Sequence, residues 1–324
     1  MSEAPGTRAA RIPSVSVVIA VYNGARTLAP LLDRLGRSFD RLRLPFEVIA
    51  VNDGSVDDSW ELLETEALRR DWLTAIDLSR NFGQHNALLC GIRAARHDVV
   101  VTMDDDLQNP PEEIPRLLDL LATGYDVVYG SPEHERHGLW RDMASHTTKL
   151  VLGQVLGAST ARQVSGFRAF RTDLRAAFEH YSGPSVNLDV LLTWATTRFG
   201  ALKVRHETRQ VGVSNYTFGK LASHALNMLT GFSTVPLQVA SLLGFVLTLF
   251  GIVLFAYVML RYVLQGVAVP GFTFLAAVIV IFSGAELFTL GVIGAYLARM
   301  HFRVMRQPSY SIRREIGAHT ENVT

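Results

Sequence analysis

The feature that most constrains this chain is an apolar stretch in its C-terminal third. Between residues 221 and 298 only Arg261 and Glu286 carry a formal charge, although charged residues make up 19% of the whole chain. Residues 236–260 hold no charge, and a helix of 25 residues extends roughly 37 Å, enough to cross a bilayer. Residues 272–298 form a second apolar run of comparable length. The sequence therefore predicts two transmembrane helices joined by a short loop.

The charges beside the two runs predict their orientation. Several basic residues follow the second run, whereas the loop between the runs holds Arg261 alone. Positively charged flanks tend to remain in the cytoplasm, so both termini are expected on the cytoplasmic side of an inner or plasma membrane. A pair of buried helices in a large soluble fold is the alternative. Gly284, Gly291 and Gly294 allow close helix packing, within one chain or between the protomers of a homo-oligomer.

The charge balance and the cysteine content limit the other classes of protein. A formal net charge of +1 does not favour a nucleic-acid partner, which usually requires a basic domain or stripe. Cys90 is the single cysteine, so it cannot form a disulfide within the chain and is expected to be a small core residue. Residues 1–13 contain no apolar segment of the signal-peptide type, so the domain that follows is expected to stay in the cytoplasm.

The residues before the apolar stretch alternate between short apolar runs and amphipathic helical patterns. Strands are predicted at residues 16–21, 46–52, 74–78, 99–103 and 126–130. Helices are predicted between them at residues 27–35, 58–70, 84–95 and 111–121. This alternation is typical of an α/β fold with a mostly parallel sheet covered on both faces. Such sheets bind their ligands at the carboxyl ends of the strands.

Polar residues gather at three of these predicted strand ends. Tyr22 and Asn23 follow the first strand, Asp53 follows the second, and the sequence DDDLQ at 104–108 follows the fourth. The sequence contains neither the GxGxxG pattern after the first strand nor a GxxxxGK[ST] pattern, so the common phosphate-binding loops are missing. We therefore expect another group to neutralise a bound phosphate.

The acidic residues after the fourth strand can supply that group through a metal ion. Asp104 and Asp106 are two residues apart, so one side chain can face a nucleotide and the other a divalent cation, with the Gln108 amide oxygen as a further ligand. Mg²⁺ or Mn²⁺ held there would stabilise a departing diphosphate. Strand alternation turns Asp105 away from Asp104, so no metal role is predicted for it. The alternative interpretation is a solvated turn that caps the next helix.

Several motifs together resemble glycosyltransferase family 2, whose members have the GT-A fold. They are Val17–Asn23, VNDGSVDD at 51–58, MDDDLQNPPEE at 103–113, SGFRAF at 165–170 and RQVGVSNY at 209–216. With the two apolar runs, they make the chain similar to the polyprenyl-phosphate glycosyltransferases of that family, a group that includes dolichyl-phosphate mannose synthase and bacterial undecaprenyl-phosphate sugar transferases. The resemblance extends from about residue 14 to residue 310.

The resemblance implies an architecture and a reaction. The implied parts are an N-terminal tail at 1–13, a cytoplasmic GT-A (Rossmann-like) domain at 14–215, an interfacial juxtamembrane helix at 216–234, two transmembrane helices at 235–298 and a cytoplasmic basic tail at 299–324. The implied reaction transfers a sugar from a UDP- or GDP-linked donor to a polyprenyl phosphate at the cytoplasmic membrane face, in cell-envelope biosynthesis. It depends on Mg²⁺ or Mn²⁺ and inverts the anomeric configuration.

The resemblance also assigns roles to individual residues. The positions that match donor-binding residues are Tyr22, Asn23, Asp53 and Asp104. Asp106 and Gln108 match the metal ligands, and Arg209 matches a basic residue beside the donor diphosphate and the acceptor phosphate. Asp106 and Arg209 are therefore the predicted catalytic residues.

The chain departs from the family pattern around the acceptor. Asn215 replaces the usual lysine of the RxxGxSKY motif, and Pro132 stands where relatives often have arginine. We expect Arg136, Arg141 or Arg168 to supply the missing charge, without a preference among them.

The sequence leaves more than one interpretation open for Asp189, for residues 140–156 and for the function. Asp189 is a helix N-terminal charge, a donor-sugar contact or a catalytic base. Residues 140–156 form either an ordinary packed helix or a helix at the bilayer surface. The competing functions are a family 2 enzyme that acts on a cell-envelope glycan and an inactive membrane-anchored protein that binds nucleotide sugars.

Overall fold

The predicted alternation of strands and helices is present in the computed structural model, which describes residues 14–132, 164–183, 186–207, 235–265, 271–305 and 307–317. The chain divides into two units. One unit comprises residues 1–215 together with 306–324, and the other comprises residues 216–305. The first unit contains the sheet and the second contains the apolar helices.

Eight strands of the described residues form one mixed sheet in the first unit. The strands are β1 (Val15–Val21), β2 (Phe46–Asn52), β3 (Leu73–Leu78), β4 (Val99–Asp104), β5 (Val127–Pro132), β6 (Arg168–Arg171), β7 (Phe199–Val204) and β8 (Ile312–Gly317). Their order is β7-β5-β6-β4-β1-β2-β3-β8. The pairs β1–β2, β1–β4, β2–β3 and β5–β7 are parallel, whereas β6 and β8 run antiparallel to their neighbours. The predicted mostly parallel α/β sheet is confirmed.

Helices cover both faces of the sheet. They are α1 (Ala25–Leu42), α2 (Ser59–Arg69), α3 (Gln84–Ala94), α4 (Ile114–Ala122) and α5 (Leu188–Ala195). Side chains alternate along each strand, so Val17 and Ile19 pack in one hydrophobic cluster with α1, α2 and α4, while Val18 packs in the other with α3 and α5. Both clusters exclude water from the strands, which explains why β1 is apolar at nearly every position.

Gly91 and Cys90 show how tightly α3 packs against the sheet. A Cβ atom at Gly91 of α3 would lie 2.4 Å from Val18 Cγ1, so this helix approaches β1 closely because residue 91 has no side chain. Cys90, beside it, is buried in the same cluster, and burial raises the pKa of its thiol to about 12. Among the described residues it is a free cysteine, as expected for a core residue.

The edge strand β8 was not expected from the sequence, which predicts only a basic tail at 299–324. It pairs antiparallel with β3, and the main-chain N–H of Ser79 donates to Ser311 O at 2.8 Å. Arg313 on β8 donates to Asp77 Oδ2 of β3 at 3.3 Å. The segment after the apolar helices is therefore part of the sheet.

The second unit contains the two apolar helices, α6 (Val235–Gln265) and α7 (Phe272–Val304). The stretches Leu237–Arg261 and Ile281–Ala298, with mean hydropathies of 2.5 and 1.6, are long and apolar enough to span a membrane. Apart from the helix's own backbone and the neighbouring residues, no described atom lies within 4 Å of a Cβ built on Gly284, Gly291 or Gly294. Packing between protomers at these glycines stays a prediction.

Some predicted features lie outside the described residues. They are Arg136, Arg141, Arg209, the helix at 140–156 and the interfacial helix at 216–234.

Candidate active site

The carboxyl ends of β1, β2 and β4 lie side by side and bring the predicted donor residues together. In the parallel registers Ala20 pairs with Asp104 and Val21 pairs with Asn52. The N–H of Asp53 then donates to Val21 O at 2.8 Å. The segments that begin at Tyr22, Asp53 and Asp105 therefore leave the sheet at one edge, as the sequence predicts.

The loop after β1 is fastened to the loop after β2. Asn23 has a positive φ of 56°; its N–H donates to Ser55 Oγ at 3.0 Å, and its Oδ1 accepts from the N–H of Val56 at 2.9 Å. The N–H of Gly24 donates to Ser59 Oγ at 2.9 Å. Tyr22 stays 52% exposed beside this fastened turn, where its ring can offer a flat apolar surface to a base.

Asp53 connects the end of β2 with the loop before α3. Its Oδ1 accepts from the N–H of Phe82 at 2.7 Å and its Oδ2 from the N–H of Gly83 at 2.8 Å. Burial raises the pKa of this carboxyl, and the two N–H groups lower it less. In the same loop the Arg80 guanidinium lies 4.3 Å from the centroid of the Phe82 ring. Asp53 thus shapes the loop before α3. Its predicted contact with a nucleotide stays a prediction.

Asp104 is held at the end of β4 by groups that the sequence did not identify. Gln84, the first residue of α3, donates from Nε2 to Asp104 Oδ1 at 2.5 Å. A Cβ atom at Gly166 would lie 3.1 Å from both carboxylate oxygens of Asp104, so the SGF segment passes directly against this side chain. Gln84 follows the carboxyl end of β3, so a polar residue after that strand was the signal that could have identified it.

Asp105 braces the loop after β1. Its Oδ2 accepts from the N–H of Tyr22 at 3.3 Å, and a Cβ atom at Gly24 would lie 2.4 Å from the same oxygen. Burial raises the pKa of Asp105 to about 7, with smaller contributions in the same direction from Asp104 and Asp106. The sequence assigned this residue no metal role, and the structure gives it a contact with the predicted nucleotide loop.

The turn after β4 arranges the predicted metal ligands. Asp106 Oδ1 accepts from the N–H of Gln108 at 3.1 Å, and Leu107 between them has a positive φ of 62°. The carbonyl of Gln108 accepts from the N–H of Glu207, beyond β7, at 2.9 Å. The main-chain N–H and the main-chain carbonyl of Gln108 are therefore both hydrogen-bonded.

The atoms in this turn that could bind a metal ion are carboxylate and amide oxygens, which suit Mg²⁺ or Mn²⁺. Within the described ranges no group of three or more His, Cys, Asp or Glu residues forms a complete metal cage. Mg²⁺ is usually bound by one or two carboxylates together with substrate phosphates, and Asp106 with Gln108 fits that kind of site.

Arg168 and Asp189 form a buried ion pair that was not expected. Arg168 Nη1 donates to Asp189 Oδ1, and the Tyr129 hydroxyl donates to the same oxygen at 3.0 Å. Burial, followed by the Asp189 charge, raises the pKa of Tyr129 well above its usual value. The Arg168 side chain is only 2% exposed, so this position does not support the prediction that it meets the acceptor phosphate. Asp189 lies in the first turn of α5, and its carboxylate forms an ion pair with Arg168.

Known proteins are similar to this chain in sequence and in fold. Residues 16–178 match the family described as Glycosyl transferase family 2. The chain belongs to glycosyltransferase family 2. The undecaprenyl-phosphate 4-deoxy-4-formamido-L-arabinose transferase of Pectobacterium carotovorum subsp. carotovorum is 36% identical over 317 residues, which cover 97% of each chain. The transferase of the same name from Proteus mirabilis is 35% identical over 316 residues, 96% of this chain and 97% of the relative.

Solved structures resemble the catalytic domain of this glycosyltransferase. Glucosyl-3-phosphoglycerate synthase from Mycobacterium tuberculosis, in complex with Mn²⁺, uridine diphosphate and glucosyl-3-phosphoglycerate, has a TM-score of 0.50 at 18% identity, covering 71% of this chain and 84% of its own. Mannosyl-3-phosphoglycerate synthase from Rubrobacter xylanophilus has a TM-score of 0.50 at 16% identity, covering 66% and 72%. The predicted GT-A fold and the resemblance to polyprenyl-phosphate glycosyltransferases are confirmed.

Proposed function

We propose that this glycosyltransferase moves a sugar from a nucleotide-sugar donor to the phosphate of a polyprenyl lipid at the cytoplasmic face of a membrane. The observation that carries the proposal is similarity to undecaprenyl-phosphate sugar transferases over 97% of both chains, a length that includes the donor site and both apolar helices. The relatives' sugar, 4-deoxy-4-formamido-L-arabinose, is the first donor sugar to test.

The donor site is proposed to lie at the shared end of β1, β2 and β4. Tyr22, Asn23, Asp53 and Asp104 surround it in the roles that the resemblance implies. A UDP-linked donor is favoured because the glucosyl-3-phosphoglycerate synthase of similar fold was solved with uridine diphosphate. Its structure also contains Mn²⁺, which supports a divalent cation here.

Asp106 and Gln108 would hold this cation, and the bound ion would supply positive charge that stabilises the departing diphosphate. The protein's own part is to keep both ligands in place, through the bond from the Gln108 N–H to Asp106 and the bond from Glu207 to the Gln108 carbonyl. Arg209, two residues beyond Glu207 in sequence, is proposed to add a second positive charge near the phosphates.

The proposed reaction needs no general base. A phosphate acceptor is already anionic at neutral pH, so it can attack the anomeric carbon directly while the diphosphate leaves from the opposite side. The contacts of Asp189 agree with this mechanism, because a carboxylate that is paired with a buried arginine is poorly placed to take a proton. A single displacement inverts the anomeric configuration.

The sheet also supports the proposed membrane topology. The chain leaves the sheet after β7, passes through both apolar helices and returns to the same sheet as β8. A domain on one side of a membrane requires an even number of crossings between those strands, which two spans satisfy. Basic residues after the second span favour the cytoplasm as that side.

The test is transfer by the purified full-length protein to undecaprenyl phosphate, with a panel of UDP- and GDP-sugars and Mn²⁺. We expect a lipid-linked sugar with inverted configuration by NMR, and a loss of at least about 100-fold in kcat/KM for Asp106→Asn. Asp119→Asn, an exposed position on α4, is the matched control and should retain full activity.

The same assay separates the competing functions. A retained anomeric configuration would exclude the single displacement. Transfer to an envelope oligosaccharide but not to the lipid phosphate would favour the glycan-modifying alternative. Donor binding without turnover in wild type and variant alike would identify an inactive binding protein.

A further inference from the structure

A three-residue ionic bridge lies beside the turn that carries the metal ligands. Arg34, in the middle of α1, donates from Nε and Nη2 to the two oxygens of Glu112 at 3.2 and 2.7 Å. It also donates from Nη1 and Nη2 to the two oxygens of Glu207 at 3.1 and 2.9 Å. We call Arg34, Glu112 and Glu207 the Arg34 bridge. The planar guanidinium of Arg34 thus donates hydrogen bonds to two carboxylates at once.

The bridge joins three parts of the chain that are far apart in sequence. Glu112 follows Gln108 by four residues, in the short 3-10 turn Pro111–Glu113. Glu207 lies just beyond β7, 173 residues from Arg34. The N–H of Glu207 donates to the Gln108 carbonyl at 2.9 Å. Glu207 therefore binds Arg34 through its side chain and Gln108 through its main chain.

The charges make the arrangement depend on Arg34. The hydrogen bonds that Arg34 donates to Glu207 and then to Glu112 raise the pKa of Arg34, so its charge is secure. Burial alone would raise the pKa of Glu112, but the Arg34 contacts help to lower it below its usual value. Arg34 lies between the two side chains and offers N–H donors to all four of their oxygens. Without Arg34, the acidic side chains of Glu112 and Glu207 would face each other with no positive charge between them, beside the main-chain contact from Glu207 to Gln108.

We propose that Arg34 is a positioning residue for the metal site: it keeps Glu207 against Gln108 and so fixes the direction in which the Gln108 side chain leaves the turn. This inference rests on the proposed function, because it assigns the metal to Asp106 and Gln108. Arg34 touches neither ligand directly. Groups that orient metal ligands typically change metal affinity by about 10- to 100-fold when they are removed.

The chain offers a matched control for the arginine. Arg70 donates to Asp33 at 2.6 Å and to Glu66 at 2.7 Å. Its side chain is 22% exposed, against 21% for Arg34, so the two arginines are similarly buried and each binds two carboxylates. The Arg70 contacts join α1 and α2 and do not involve the metal turn. Arg70→Ala therefore reports the general cost of removing such an arginine.

The experiment measures Mn²⁺ binding to the full-length protein in the presence of UDP, by titration of the free-Mn²⁺ electron paramagnetic resonance signal. We expect Arg34→Ala to weaken Mn²⁺ binding about 10-fold, whereas Arg70→Ala binds like wild type. The double variant Arg34→Ala/Glu207→Gln should regain part of the loss, because one of the two repelling charges is gone. Glu207→Gln alone keeps the size of the side chain but leaves Arg34 one acceptor oxygen instead of two, so it weakens the bridge without removing it. The expected loss is about 3-fold, smaller than for Arg34→Ala.

The outcomes distinguish this inference from the proposed function. Unchanged Mn²⁺ affinity in Arg34→Ala and Glu207→Gln, or an equal loss in Arg70→Ala, would overturn the positioning role. If Arg34→Ala does not fold, Glu207→Gln decides alone. A wild type that binds Mn²⁺ and UDP but transfers no sugar to lipid phosphate would overturn the proposed function and leave the bridge intact. A wild type that binds no Mn²⁺ would overturn the positioning role.

Discussion

The side-chain amide of Asn86 donates a hydrogen bond to the main-chain carbonyl of Ser309 at 2.6 Å. Asn86 lies in the first turn of α3, next to the residues that contact Asp53 and Asp104, whereas Ser309 follows the second apolar helix. Ser309 also bonds through its hydroxyl to both the N–H and the carbonyl of Gly183, at 3.3 and 2.9 Å. The segment that returns from the membrane helices is thereby built into the catalytic domain.

We expect Asn86→Ala to destabilise the catalytic domain, because it leaves the buried Ser309 carbonyl without this donor. The expected cost is about 1–3 kcal/mol, visible as a lower Tm in thermal unfolding followed by tryptophan fluorescence. Thr65→Ala on the exposed side of α2 is the control and should stay within about 0.5 kcal/mol. An unchanged Tm in Asn86→Ala would show that this contact contributes nothing to stability.

The buried pair of Arg168 and Asp189 predicts a loss of stability without a loss of chemistry. Asp189→Asn leaves a buried guanidinium with a neutral partner, and breaking such a pair costs about 3–5 kcal/mol. At a temperature where the variant is folded, we expect kcat to stay within a few-fold of wild type. Replacing both residues, as Arg168→Met/Asp189→Leu, should recover much of the stability.

The measurement pairs thermal unfolding with transfer kinetics. Asp173→Asn, which changes an exposed carboxylate, serves as the control. A kcat loss of 100-fold or more in folded Asp189→Asn would instead identify Asp189 as a catalytic base.

Gly54 predicts a specific effect on donor binding. It has φ +65°, and a Cβ atom there would lie 2.5 Å from Asn81 N and 2.6 Å from Arg80 C. Gly54→Ala must therefore displace the loop that Asp53 holds, and we expect the donor KM to rise about 10-fold, equivalent to about 1.4 kcal/mol. Gly124→Ala also has a positive φ, but nothing described lies within 4 Å of its Cβ position. Gly124→Ala should lower stability and leave the donor KM unchanged. Equal donor KM values in Gly54→Ala and Gly124→Ala would contradict the prediction.

Asp126 predicts how stability responds to acid. The hydrogen bonds from Arg198, at 2.9 and 2.7 Å, are the main cause that lowers the pKa of this carboxyl in the folded protein. Its stabilising effect is complete above the ordinary pKa of 3.8 and is lost as the pH falls through the lower folded value. Asp126→Asn should therefore flatten the decline in Tm below about pH 4, measured in steps from pH 6 to pH 3. A parallel decline in both proteins would show that Asp126 does not titrate in this way.

Much of the sheet could be predicted because its strands are apolar on both faces. The predicted strand at 46–52 coincides with β2, and those at 16–21 and 99–103 differ from β1 and β4 by one residue. The polar residues that follow these strands meet because parallel strands end at the same edge. Geometry that follows from local pattern and sheet direction was therefore predictable.

The strands β6 and β8 could not be predicted, because their identity depends on partners distant in sequence. β8 reads IRREIG, a charged sequence that becomes a strand only by pairing with β3 at the edge. β6 begins with Arg168, whose burial requires Asp189 from another element. Arg34 lies inside the predicted helix at 27–35, and its partner Glu207 is 173 residues away, so no local pattern could identify this contact.

The position of β8 has a consequence for how the protein is made. The ribosome synthesises both apolar helices after β3 and before β8, so the edge of β3 has no β8 partner until the membrane segment has been produced. Assembly of the sheet is therefore completed after the point at which the helices can enter the bilayer. A chain stalled directly after α7 would have its anchor but lack both the last strand and the Ser309 contact with Asn86 of α3. The order of biosynthesis thus places anchoring before completion of the catalytic domain.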